Sequence, residues 1–366
     1  MAGRIRLGFV LASPRTRPLA STRTSVLNML PYLERAGFDA SIVFEPLVPA
    51  EVPDVTGVAE RMIRERCGIA YFQKVHGASV AREVDALATA GIRTVFGICD
   101  RVDLPMVRAT DLTITVTEFL KALHPSDVRD RIRVVHDGIE RPDVAGRDAT
   151  RHRGTRARPL SLVLVTSGRL DHLPVLDGIP AWAELTVVGD YRESPRFADR
   201  IRQDCAIVAS AGNGMRRRAR VLRFVSHPRV RRVAWHADGV YDALLAADIA
   251  ILPIARKMDG DGAIGVPVWQ IKSENRLTMK MAAGLPVVAT PIPSYLPVVE
   301  DGENALFARD AAQWSAALDH LRSPDERRRI GRNARESVLA PYSKDAQAKR
   351  LIEALRWVMD SAPSRR

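Results

Sequence analysis

Short apolar runs and helix-patterned stretches alternate along almost the whole chain, in two series separated by a stretch with no periodicity. In the first series the apolar runs are Ile5–Ala12, Ala40–Phe44, Ile69–Phe72, Thr94–Ile98 and Leu112–Val116. Runs this short, alternating with helices, point to a parallel α/β sheet. The helical patterns Ser25–Ala36 and Val80–Ala90 are followed by Gly37 and Gly91, where a helix closes most easily. A further strand, Arg133–His136, ends at the turn signal Asp137-Gly138. Residues 140–158 are polar and basic, and read as a linker. The second series has strand patterns at Leu160–Val165, Leu185–Val188, Val230–Trp235, Ile249–Pro253 and Pro286–Ala289. Its helical patterns are Tyr241–Ala247, Asn275–Ala283 and Ala311–Leu321, and an amphipathic helix, Asp345–Met359, closes the chain. The expectation is an α/β protein of two Rossmann-like domains, 1–139 and 159–340, with 341–366 packing back on the first. A length of 366 residues suits two domains of about 150 residues each. Ligands of open α/β sheets bind beyond the carboxyl ends of strands, so a cleft between the domains is the expected site.

Composition narrows the function classes. No apolar run approaches the roughly 20 residues needed to span a bilayer. The first run, Leu7–Ser13, lacks a following small-residue cleavage site and reads as a buried strand, not a leader peptide. Cys67, Cys99 and Cys205 are odd in number and in no metal-ligand spacing, which points to a reducing, cytoplasmic setting. The net charge of +12 is spread along the chain, half of it in 140–158 and 341–366, and only seven of the 55 basic residues are lysine. That distribution argues against a nucleic-acid partner. The one dense patch is Arg216–Arg232, eight arginines without an acid. It reads first as a solvated helix and loop, and leaves open peripheral contact with anionic lipid or polymer at the inner membrane.

The most informative segment is Lys272–Thr290, KSENRLTMKMAAGLPVVAT. A polar cluster precedes a short helix that ends at Gly284 and feeds into a buried strand. Amides at a helix N-terminus attract anions, and Lys272, Ser273, Asn275 and Arg276 would surround the same point, a place for a pyrophosphate. The same residues also fit an ordinary capped helix, with Ser273 as the cap and the charges in water.

Beyond this point the run MAAGLPVVATPIPSYLPVVEDGENALFA resembles the C-terminal signature of the GT-B glycosyltransferases, specifically the family 4-like group. The matching parts are Met281–Gly284, Pro286–Ala289, Pro291–Tyr295 and Val299–Phe307. Val135–Glu140 resembles the hinge entrance, Arg232–His236 the base-binding strand, and Pro341–Ser343 the segment crossing back to the first domain. The likeness is good over about 225–345 and looser before it. It implies a nucleotide-sugar donor, a small-molecule, lipid-linked or polysaccharide acceptor, and no metal cofactor. By this resemblance Arg169 in Gly168-Arg-Leu170 holds the diphosphate, and Trp235 and His236 lie on the base-binding strand; Lys272 and Arg276, with Ser273 and Asn275 as hydrogen-bond partners, are this chain's own variant and would replace the family's missing charge. The chain departs from the pattern at the family's two glutamates, which fall at Ile271 and Met279, so Met279 occupies a donor-binding position without a hydroxyl acceptor. The family's partner lysine falls at Pro174.

The acceptor half offers loops after the strands. Arg23 heads a helix that would face a phosphate or an anionic acceptor. Lys74 and His76 follow the third strand and Asp100 the fourth. His76 or Asp100 would be the general base if the enzyme inverts, whereas the family generally retains configuration and needs none. Asp259-Gly-Asp261 and Asp100-Arg-Val-Asp103 are tight aspartate clusters, but neither sits in a clear strand-end context after the nucleotide half. Two alternatives stay open: a GT-B sugar epimerase, and a non-catalytic glycosyltransferase-like subunit.

Overall fold

The computed structural model describes residues 4–144, 152–166, 179–191, 196–211, 214–254 and 265–361. The chain forms two compact units. The first is Met1–Glu140 with Asp259–Asn275 and Pro341–Arg366; the second is Arg141–Met258 with Arg276–Ala340.

The first unit holds a six-stranded parallel sheet of β1 (Ile5–Val10), β2 (Phe38–Phe44), β3 (Ile69–Gln73), β4 (Arg93–Ile98), β5 (Leu112–Thr115) and β6 (Ile132–Val134). Their order is β2-β1-β3-β4-β5-β6. Period-two alternation sends Leu7, Phe9 and Leu11 to one face, where Leu351, Leu355 and Val358 of the helix Lys344–Asp360 cover them. Val10 and Ala12 point to the other face, against Met62, Val80, Val84 and Leu87. Both faces are therefore buried, which is why these strands read as continuous apolar runs. The order reverses between β1 and β3, so the loops following them diverge and leave a crevice. The expected helix Ser25–Ala36 is instead broken into Ala20–Thr22, a π-helical turn Arg23–Leu27 and Leu30–Arg35. Pro31 has no amide to donate to residue 27, and the turn before it widens, with the Asn28 amide reaching Arg23 O at 2.9 Å.

The second unit repeats the plan with β7 (Leu160–Val165), β8 (Ala183–Gly189), β9 (Val230–Ala234), β10 (Ile249–Leu252), β11 (Val287–Ala289) and β12 (Leu306–Phe307), in the order β12-β11-β10-β7-β8-β9. Here the reversal falls between β7 and β10. The helix Asn275–Ala282 stops at Gly284, whose φ of +76° suits glycine, and the chain turns directly into β11. Gly331, in the helix Pro324–Leu339, passes so close to the Gly284 carbonyl that a Cβ there would collide with it.

Two boundaries differ from the sequence expectation. Of the expected linker, 140–158, the stretch 152–158 is fixed within the second unit. Buried Arg327 donates to Leu321 O (2.7 Å), Arg322 O (2.9 Å) and His152 O (2.7 Å), and Arg322 Nε donates to Arg153 O (3.1 Å). Asp259–Asn275, expected inside the second domain, belongs to the first unit, where Ile271 is buried with Val102 and Leu120. Among the described residues no helix is long and apolar enough to cross a membrane.

Candidate functional site

In the first unit the chemistry gathers beyond the carboxyl ends of β3 to β6. Past β6, His136 Nδ1 lies 2.6 Å from Glu274 Oε1 and 2.9 Å from Val116 O. Both neighbours are acceptors, so the network assigns the proton to Nδ1. The His136 amide donates to Gln347 Oε1 at 2.9 Å, and its ring meets Tyr342 edge-on, 5.1 Å between centroids. Asp137 accepts from Thr24 Oγ1 at 2.9 Å and from Ser273 Oγ at 3.0 Å. Burial, reinforced by the Glu274 charge, pushes Asp137 up from 3.8 to about 6 against the pull of those two hydroxyls. Glu274 is 1% exposed, and its Oε2 has no hydrogen-bond partner.

Beside this network lies a cavity of about 440 Å³, counting the part open to solvent. Thr24, Gln73, Lys74, Cys99 and His136 form its polar wall, and Met29, Tyr71 and Leu351 much of the apolar one. Gly97, which carries no side chain, leaves room for the Tyr71 ring. At the β1/β3 crevice, Gln73 Oε1 accepts from Thr22 Oγ1 at 2.8 Å, and Thr22 in turn accepts from Ser13 Oγ at 2.8 Å.

The structure brings Lys74, His76 and Asp100 together, and spends each on a neighbour. Lys74, in a left-handed conformation (φ +58°) and nearly buried, pairs with both Glu51 and Asp100 at 2.8 Å. Burial opposes its charge, but Cys99, Asp100 and Glu51 more than offset that and hold it as an ammonium. His76 Nδ1 lies 3.5 Å from Asp103, while its Nε2 touches the Arg101 guanidinium. The lone pair a general base needs is turned toward a cation, and the Asp100 carboxylate toward a lysine. Arg23, expected to meet an anionic ligand, forms a fork to Glu140 (2.6 and 2.9 Å), which also accepts from Asn28. Although burial opposes it, these hydrogen bonds from Arg23 and Asn28 hold the Glu140 carboxyl below its ordinary value.

In the second unit, Trp235 and His236 emerge at the carboxyl end of β9, Trp235 being 40% exposed. Arg276 and Met279 lie partly exposed on the helix Asn275–Ala282. Lys272 and Asn275 are also partly exposed, just before the chain enters the second unit at Arg276. The Ser273 hydroxyl donates to Asp137. Sequence reasoning missed Lys280, which is fully buried, donates to Arg276 O at 3.0 Å, and is driven down to about 7 by burial and by the Arg276 charge. Arg169, Pro174, Asp259 and Asp261 lie outside the described residues. Among the described residues no group of three or more His, Cys, Asp or Glu is placed to hold a metal.

Each unit is built on one six-stranded parallel sheet, as in the GT-B architecture. Residues 192–353 match the family model described as glycosyl transferase-like. A glycosyltransferase from Rickettsia africae ESF-5 superposes with a TM-score of 0.66 at 14% identity, covering 99% of this chain and 100% of that one. Sucrose-phosphate synthase from Thermosynechococcus elongatus gives 0.67 at 14% identity, covering 98% and 100%. HepE from Anabaena, solved in complex with UDP and glucose, gives 0.64 at 12% identity, covering 97% and 100%. No curated protein sequence matches the chain. The chain has the GT-B fold, and its residues 192–353 are similar to the glycosyl transferase-like family.

Proposed function

We propose that the protein is a glycosyltransferase that moves a sugar from a nucleotide-diphosphate donor to an acceptor hydroxyl without a metal ion. The observation that carries this reading is the glycosyl transferase-like signature over 192–353, set in a fold shared along its whole length with HepE, which binds UDP and glucose. The donor diphosphate is assigned to the N-terminal turn of the helix Asn275–Ala282 and to Arg276, with Lys272 preceding it in the chain and Arg169 following β7. Amide dipoles and guanidinium groups there oppose the negative charge that grows as the bond from the anomeric carbon to the phosphate oxygen breaks. The diphosphate leaves with the electron pair, the acceptor oxygen bonds to the anomeric carbon, and the hydroxyl proton is released. Transfer with retention fits best, because Asp103 and Arg101 engage the His76 ring, Lys74 pairs with Asp100, and neither is poised as a base. Trp235, exposed at the end of β9, is the stacking surface for the base, and the acceptor is a small-molecule, lipid-linked or polysaccharide hydroxyl.

The test is a thermal-shift panel of nucleotide diphosphates followed by donor hydrolysis with the best ligand, with and without EDTA. Stabilisation of about 2.7 kcal/mol is expected at a hundred times the dissociation constant, and hydrolysis should persist in the chelator. Loss of turnover in EDTA, restored by magnesium or manganese, would refute the metal-independent step. A second reading, a non-catalytic subunit, is favoured by Ile271, a buried core residue where the family places a glutamate. Binding without hydrolysis or transfer with any nucleotide sugar would decide for it.

A further inference from the structure

The helix Met215–Val225 has two apolar faces. Val221, Phe224 and Val225 are buried in the second unit, as an amphipathic helix requires. Met215, Ala219 and Leu222 fall at i, i+4 and i+7, the spacing of a single stripe, and this stripe faces solvent: Met215 is 87% exposed and Leu222 54%. Arg216 and Arg223 flank it on one side and Arg218 on the other, all three exposed, and the helix contains no acid.

We propose that this face is a docking surface for an anionic lipid bilayer, with Met215 and Leu222 entering the headgroup boundary and the arginines meeting lipid phosphates. An outward apolar stripe bordered by cations is the pattern of a helix lying in the interfacial plane. Anionic lipid is the occupant that satisfies both halves of that pattern. A polyanion such as nucleic acid would use the arginines but gain nothing from Met215 and Leu222. A second apolar surface, the loop with Leu47 (97% exposed) and Val48 (70%), does not share the pattern, because residues 45–54 hold Glu45, Glu51 and Asp54 and no base.

The test is co-sedimentation of the full chain with vesicles of phosphatidylcholine, alone or with a third of phosphatidylglycerol, beside a heparin column. Binding is expected only to the anionic vesicles. Each basic residue near the surface strengthens binding by about fivefold, so the triple variant Arg216→Gln/Arg218→Gln/Arg223→Gln should lose about a hundredfold, and raising salt should mimic it. Met215→Ser/Leu222→Ser should lose about tenfold toward vesicles while keeping heparin retention, and Leu47→Ser/Val48→Ser should change neither. Unchanged melting temperatures would establish that the variants fold. Equal binding to neutral vesicles, or an apolar variant that binds vesicles as the parent does, would overturn the proposal. A change in sedimentation coefficient on mutating the stripe would assign the face to self-association instead.

Discussion

Replacing Asp137 by asparagine tests whether the buried carboxylates of the first unit are strained by each other. Asp137 is enclosed beside Glu274, and burial together with that charge raises it from 3.8 to about 6. A carboxyl bound more tightly to its proton in the folded chain stabilises the fold fully only below pH 3.8. That contribution is lost as pH rises through 6, where the buried group must ionise. A shift of about two pH units corresponds to about 3 kcal/mol over the whole range. Between pH 5 and pH 8 the linkage relation gives about 1.4 kcal/mol of it. Asparagine occupies the same volume, offers one acceptor and an amide to Thr24 and Ser273, and does not ionise. Asp137→Asn should therefore gain about 1.4 kcal/mol relative to the parent on going from pH 5 to pH 8. The measurement is denaturant unfolding of both proteins at the two pH values, compared as a double difference, so that titrating groups remote from Asp137 cancel. A stability difference identical at pH 5 and pH 8 would refute the reasoning and show that Asp137 ionises normally in the fold.

Lys280→Met should also show linkage, with the opposite slope. The buried lysine is driven down to about 7, so the parent's stability falls with decreasing pH, and the advantage of methionine should grow by about 2 kcal/mol between pH 9 and pH 7 in the same assay. Arg276→Ala should weaken nucleotide-diphosphate binding by about 1.5–3 kcal/mol in calorimetry, the range for hydrogen bonds to charged groups; unchanged affinity would move the diphosphate away from this helix. Met279 is at best a weak acceptor, so dUDP should bind within about tenfold of UDP. A hundredfold preference for UDP would mean that another residue reads the ribose.

Where strands are buried on both faces, the sequence announces them: the run Ile69–Phe72 is strand Ile69–Gln73, and Leu112–Val116 contains Leu112–Thr115. The Gly284 stop was equally plain, because its positive φ and the following Pro-Val-Val strand are local properties. The site was less legible because its contacts are not local. His136 and Glu274 are separated by 138 residues, Asp137 and Ser273 by 136, and Arg23 and Glu140 by 117. Each of these side chains has a plausible local role, and only the fold shows that it is already engaged. Lys280 did leave a signal. It lies three residues after Leu277, on the apolar side of the helix, where a lysine must bury its amine or extend past the core.

The positions that depart from the family pattern and the buried charges lie in one stretch of chain. Ile271 and Met279 stand where the resemblance places glutamates, and the buried ionisable groups here are instead Glu274 and Lys280. Glu274 cannot replace a donor-reading glutamate, since one of its oxygens is committed to His136 and the side chain is enclosed within the first unit. Lys280 cannot serve as a surface cation for the diphosphate, because its amine bonds to the carbonyl of Arg276 one turn earlier. Both residues thus anchor the segments on either side of Asn275, where the chain passes from the first unit to the second. Such charges are costly to bury and strongly destabilising to leave without their partners. Breaking the pair through His136→Ala should therefore loosen the path of residues 265–275 while leaving the helix beyond Asn275 in place.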